Sequence, residues 1–182
     1  MYASFSAGPA FPLGTFAAAG VDETGRARIG LNAMLSIGRK YSDQFSLGVR
    51  GYLMLNSTWG FPNIWLEEDD WKSHAYLAAM KHTHALSKNL FLEGEVNLGL
   101  MFTDFATGYF VVRGVNTRGF PRKGRGLAYG LNVGLKYFFD TNFAFQLSAQ
   151  YLGANPLVKL PMGEYRQNVQ LSLLNWGVIV EL

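Results

Sequence analysis

Tyr76 to Phe102 reads YLAAMKHTHALSKNLFLEGEVNLGLMF. In its second half Leu90, Leu92, Gly94, Val96, Leu98, Leu100 and Phe102 fall on one phase, and Phe91, Glu93, Glu95, Asn97, Gly99 and Met101 on the other. Consecutive side chains of a strand point to opposite faces, so this is a strand with one apolar and one polar face. Ser87-Lys88-Asn89 interrupts the run as a tight polar turn. The stretch predicts a β-hairpin, and pairing Leu86 with Leu90 across the turn would set Lys81 opposite Glu95.

The same plan recurs on both sides. A first strand is expected from Tyr2 to Phe11, followed by a Gly- and Ala-rich loop to Arg26. From Ala27 to Tyr41, Ala27, Ile29, Leu31, Ala33, Leu35 and Ile37 oppose Arg28, Gly30, Asn32, Met34, Ser36 and Gly38. After the turn Ser42-Asp43-Gln44, Phe45, Leu47, Val49, Gly51, Leu53 and Leu55 oppose Ser46, Gly48, Arg50, Tyr52, Met54 and Asn56. Strands from Leu127 to Phe139 and from Phe143 to Leu152 flank the turn Asp140-Thr141-Asn142, and a last strand runs to Leu182. These strands are about 10 to 15 residues long, against about five or six in ordinary globular sheets. Short turns alternate with long loops at Trp59 to Lys72, Asp104 to Gly124 and up to Gln167. That asymmetry belongs to barrels that span a membrane, with short turns on the periplasmic side. The expected fold is all-β: an eight-stranded antiparallel up-and-down transmembrane β-barrel, with residues 1–182 as one domain.

Alternation alone does not say which face is inside, because a soluble lipocalin-like carrier also alternates. The make-up of the polar face decides it. A solvated surface carries about 25–35% charged residues, whereas this face is mostly Gly, Ser, Asn, Gln and Ala. Small polar residues suit the lumen of an eight-stranded barrel, which side chains just fill. The apolar face has no charge at mid-strand, as hydrocarbon requires. Aromatic residues mark its two ends: Tyr41, Phe45, Tyr137, Phe139 and Phe143 by the short turns, and Trp59, Trp71, Phe102, Phe105 and Tyr151 by the long loops. Such girdles lie at membrane interfaces. Arg28, Arg50, Glu93, Glu95 and Lys136 then all fall on the inward phase, joined by Lys81 if its strand keeps the pattern. Buried charges need partners, so Arg50, Lys81, Glu93, Glu95 and Lys136 are expected to form an interior cluster that plugs the lumen and argues against an open pore.

Composition narrows the function classes. There is no cysteine, hence no disulfide and no thiolate chemistry. The first 21 residues are uncharged but lack a basic n-region and are broken by Pro9 and Pro12, so they read as the first strand and loop of a mature chain. No stretch offers about 20 unbroken apolar residues for a transmembrane helix. Acidic residues gather at Glu67, Glu68, Asp69 and Asp70, basic ones between Arg113 and Arg125. This split argues against nucleic acid as a partner, which calls for one contiguous basic face.

With strand count, loop asymmetry and interior charges in hand, the chain resembles the OmpA/OmpX-type small outer-membrane β-barrels. Its last residues, Asn175-Trp176-Gly177-Val178-Ile179-Val180-Glu181-Leu182, are similar to the C-terminal signal of that family, with Asn175, Gly177, Val180 and Leu182 in the signal's slots. Leu182 departs from the usual Phe. The resemblance implies residence in the outer membrane, contact with membrane lipid including lipopolysaccharide, and assembly by the barrel-assembly machinery.

The remaining motifs are weighed against simple structural roles. His82 and His84 share a face at i, i+2 but lack a third ligand, and read as interfacial residues. Ser73 and His74 suggest a lipid-A-modifying enzyme, yet adjacent strand residues face opposite ways. The acidic run has no regular ligand spacing for Ca²⁺ or Mg²⁺. Arg113, Arg118, Arg122, Lys123 and Arg125 form a basic loop suited to lipid phosphates, a protein partner, or the acidic loop of the same barrel. The expectation is a structural or binding barrel, subunit of a larger complex or not, that needs no cofactor or metal and is not an enzyme. A lipid-modifying enzyme and a narrow pore are the competing readings.

Overall fold

The computed structural model describes residues 1–18, 26–58, 65–68, 70–105, 108–112, 115–118, 122–160 and 163–182, with residues 65–68, 105, 108–112, 115–118, 122 and 159–160 placed by backbone alone. In chain order the strands are β1 (Tyr2–Pro12), β2 (Ala27–Lys40), β3 (Phe45–Thr58), a short β4 (Trp65–Glu68), β5 (Trp71–Ala85) and β6 (Leu90–Phe105). Then come the short β7 (Gly108–Val112) and β8 (Val115–Arg118), β9 (Arg122–Phe138), β10 (Phe143–Ala154), the short β11 (Leu157–Leu160) and β12 (Gly163–Arg166), and β13 (Val169–Glu181). Eight long strands pair antiparallel in the order β10-β13-β1-β2-β3-β5-β6-β9, and β9 pairs with β10 to close the ring. The molecule is an eight-stranded antiparallel β-barrel. Closure leaves the ring no unpaired edge, which is what lets strands cross a bilayer without unmet backbone groups.

The outer wall is apolar. Leu31, Leu53, Leu98, Leu127 and Leu131 are each more than half exposed, on the phase the alternation assigns to lipid. Tyr41, Phe45, Tyr137, Phe139 and Phe143 are exposed beside the short turns. The seam between β1 and β13 is tight. A Cβ on Gly177 would come 2.1 Å from the Phe5 carbonyl oxygen, and one on Gly8 would come 1.8 Å from that of Leu174. Both positions demand glycine. The β1–β13 register runs from Tyr2↔Glu181 to Pro12↔Leu171 but has no bridge at Gly8 and Pro9, and Pro9 has no N–H to give to the ladder.

Three sequence expectations are corrected. Arg28 is exposed and Ala27 is buried, the reverse of the alternation, because the β2–β3 register shifts between Ala27 and Gly30. A single extra residue flips the faces of everything beyond it. Trp71 shares the inward phase of Ser73, is 5% exposed, and lies inside the lumen instead of in the outer girdle. Tyr76 and Tyr129 occupy that upper wall; Trp59 lies outside the described residues. Finally, the long connections carry structure of their own. β4, β7 and β8 make a separate three-stranded sheet, β11 and β12 form a hairpin attached to β9, and the first loop begins with the one-turn helix α1 (Gly14–Ala17).

The lumen has two halves. Toward the long loops it is apolar: Met34, Tyr52, Met54, Leu77, Met101, Leu152, Leu171 and Leu173 are buried together with Trp71. Phe16 on α1 drops into this mouth and meets Trp71 edge-on, ring centroids 5.1 Å apart. Toward the short turns the inward side chains are polar and charged.

Candidate functional site: an interior charge network

The network follows from the two-residue period of four strands. Arg50 on β3, Lys81 on β5, Glu93 and Glu95 on β6 and Lys136 on β9 all take the inward phase, and each is at most 5% exposed. From the short-turn rim inward, Lys40 pairs with Glu181. Lys136 Nζ lies 3.2 Å from Glu181 and 2.9 Å from Glu93. Lys81 Nζ is 3.3 Å from Glu93, whose carboxylate also accepts from Gln146 Nε2 at 3.3 Å. Deepest, Arg50 pairs with Glu95 and donates to the Tyr52 hydroxyl at 3.3 Å. Tyr52 in turn exchanges hydrogen bonds with Gln150, at 3.0 and 2.9 Å. Rings complete the shell: Lys81 Nζ sits 4.3 Å above Tyr2, and Lys136 Nζ 5.1 Å from the ring centre of Phe138.

Charge balance explains why this cluster is tolerated. Three buried cations, Arg50, Lys81 and Lys136, meet three carboxylates, Glu93, Glu95 and Glu181. Each ion taken out of water costs several kcal/mol unless paired and hydrogen-bonded. Lys81 does stand opposite Glu95 in the β5–β6 register, yet its ammonium bonds Glu93. Glu95 is taken by Arg50 from β3, whose guanidinium matches a carboxylate better than an ammonium does. Lys81 therefore reaches the diagonal carboxylate two residues along β6, a separation long side chains bridge.

Sequence reasoning missed Glu181, Lys40, Tyr52 and Gln150 as members. Glu181 was legible: it continues the inward phase of Asn175, Gly177 and Ile179 along β13. Asn175 is fully buried in the lumen, Gly177 lies against β1, Val180 is half-buried and Leu182 is exposed beside Met1. Below the network, a vestibule of about 530 Å³ opens among Lys40, Lys136, Phe138 and Glu181. Above it, the apolar half and Phe16 fill the lumen.

The other candidates do not converge with this cluster. Ser73 faces inward and bonds Thr103 at 3.1 Å, while His74 lies on the outer wall stacked on Phe102 at 5.3 Å. His82 and His84 are exposed by the short turn, His82 against Phe45. Among the described residues, no three His, Asp or Glu side chains are grouped to hold a metal. Lys123 and Arg125 are exposed, and Lys123 lies 3.9 Å from Asp104. Arg118 and Arg122 belong to β8 and β9 by backbone; Arg113 and Asp69 lie outside the described residues. β4, which carries Glu67 and Glu68, and β8 form opposite edges of their small sheet, with β7 between them.

No family model matches the sequence, and no curated protein matches it. Solved structures do resemble it. Neisserial surface protein A is 15% identical, with a TM-score of 0.65 over 100% of this chain and 96% of that one. The attachment invasion locus protein Ail of Yersinia pestis is 18% identical, TM-score 0.50, over 98% and 97%. The outer membrane protein OprG of Pseudomonas aeruginosa is 10% identical, TM-score 0.50, over 100% and 96%. The chain has the fold of small outer-membrane β-barrels.

Proposed function

We propose that this protein is a non-catalytic barrel of the cell outer membrane whose lumen is filled, so that its work is done on the outside. In this reading it anchors in the membrane and meets lipopolysaccharide or a protein partner at the long-loop end, through Arg113, Arg118, Arg122, Lys123 and Arg125, alone or within a larger complex. The observation that carries the reading is the lumen itself. Among the described residues, a charge network below and an apolar plug above occupy the bore of the barrel, and the vestibule at the short-turn end stops at that network. The kinship to the OmpA/OmpX type belongs to the same reading, as does delivery by the barrel-assembly machinery through Asn175, Gly177, Val180 and Leu182. A neighbour of the same fold bears the name attachment invasion locus protein, in keeping with a role at the cell surface.

One experiment tests it. The protein is expressed in a Gram-negative host, located by membrane fractionation, and reconstituted in planar bilayers, while the host's lipid A is profiled by mass spectrometry. Outer-membrane fractionation, no conductance steps and unchanged lipid A are expected. Pore-sized steps, or lipid A newly modified in wild type but not in His74→Ala, would overturn the reading.

A further inference from the structure

Neighbouring outward positions of β5, β6 and β9 form a row at the long-loop interface. Lys72 pairs in register with Asp104, and Asp104 with Lys123; one step deeper, His74 pairs with Phe102, and Phe102 with Arg125. Lys72, Asp104, Lys123 and Arg125 are exposed, and among the described residues neither Lys72 nor Arg125 has an ion-pair partner. Three full cations thus face two carboxylates, Asp104 and the exposed Asp70 two positions before Lys72. On β10, β13 and β1 the outward residues toward this end, Gln170, Ser172 and Phe11 among them, are uncharged, while Arg28 on β2 is a further exposed cation at this end.

A second observation lies on the same strands. Below Tyr76 and Leu100 the outer wall dips at Ala78, where a groove of about 360 Å³ is walled by Leu47, Met80, Val96 and Leu98. Lys72 and Ala78 are six residues apart, about 20 Å along a strand at about 3.3 Å per residue. At a strand tilt of about 40° that is about 15 Å of depth, and the apolar band of such a barrel is about 25 Å tall. The groove therefore lies where a lipid chain of the outer leaflet ends. Cations above and an apolar slot below, at this separation, match an amphiphile with an anionic head.

We propose that β5, β6 and β9 carry a binding site for a phosphorylated lipid of the outer leaflet, with Lys72, Lys123 and Arg125 on its phosphate and an acyl chain in the groove at Ala78. The site rests on the reading that the long-loop end meets lipid, and extends it from a loop to the barrel wall. His74, packed against Phe102, forms a stacking surface between head and chain.

The probe is diphosphoryl lipid A, titrated onto the refolded barrel in zwitterionic micelles and counted by native mass spectrometry. Lys72→Ser/Lys123→Ser/Arg125→Ser should bind about 100-fold more weakly, as expected for three cations near an anionic lipid surface. Arg39→Ser/Lys88→Ser, which removes exposed cations at the short-turn end, should change affinity less than about threefold, within the weak range of scattered exposed charges. Asp104→Asn should tighten binding, and Ala78→Phe, which fills the groove, should weaken it. Millimolar inorganic phosphate should not compete. Equal losses in the triple variant and the short-turn double variant would overturn the site, as would competition by free phosphate. Wild-type binding that the triple variant retains would overturn this site alone. A wild type that binds no lipid A would overturn the lipid part of the proposed function as well.

Discussion

Glu93 is the hinge of the interior network, and replacing it gives the sharpest test. Its carboxylate holds Lys136 at 2.9 Å and Lys81 at 3.3 Å, with about 1% of its side chain exposed. Glu93→Gln keeps the shape and removes the charge. Lys136 retains Glu181 at 3.2 Å, so the stranded cation is Lys81, which is left with the Tyr2 ring and with Glu95, already engaged by Arg50. Breaking a buried pair by deleting one partner costs about 3–5 kcal/mol. The surviving partner of Lys136 places the expected loss at the lower end, about 3 kcal/mol. With a urea slope of about 2 kcal/mol/M, the unfolding midpoint should fall by about 1.5 M. The assay is equilibrium urea unfolding in lipid vesicles, followed by tryptophan fluorescence. Removing both charges in Lys81→Met/Glu93→Gln should recover most of the loss, since an apolar replacement of a buried pair is often neutral or stabilising. A loss below about 1 kcal/mol for Glu93→Gln, or a double variant as unstable as the sum of the singles, would refute the network as described.

Three further outcomes check other parts of the structure. Leu98→Arg puts a charge on the lipid face, where Leu98 is 64% exposed, and should cost about 2–4 kcal/mol in the same vesicle assay; a neutral result would mean that face is not in hydrocarbon. Phe16→Ala empties a site that is 1% exposed and should cost up to about 3–5 kcal/mol, yet give no conductance in planar bilayers, because the charge network below still fills the lumen. Gly177→Ala drives a Cβ to 2.1 Å from the Phe5 carbonyl oxygen and should block closure of β1 on β13, read as loss of the compact, heat-sensitive band on electrophoresis; wild-type refolding would show that the seam is looser than described.

The chain's own order of residues determined the strands, their outward faces and the inward phase of Arg50, Glu93, Glu95 and Lys136. The reason is local: the side-chain period of a strand is two, and a lipid-facing wall tolerates no charge at its centre. Even Lys81, ambiguous among the small apolar residues around it, follows once its hairpin partner is read. What alternation could not give is who meets whom. That Arg50 takes Glu95 and sends Lys81 to Glu93 depends on which strands are neighbours around the closed ring and how far their tilt offsets them. The bulge that turns Arg28 outward inserts no recognisable motif into the sequence. Trp71 looked like an interfacial aromatic and became the partner of Phe16, fifty-five positions earlier, only because α1 folds over the mouth of the lumen. Period and polarity are properties of a strand and are written in its residues. Pairing inside a barrel is a property of closure, and it exists only when the last strand has met the first.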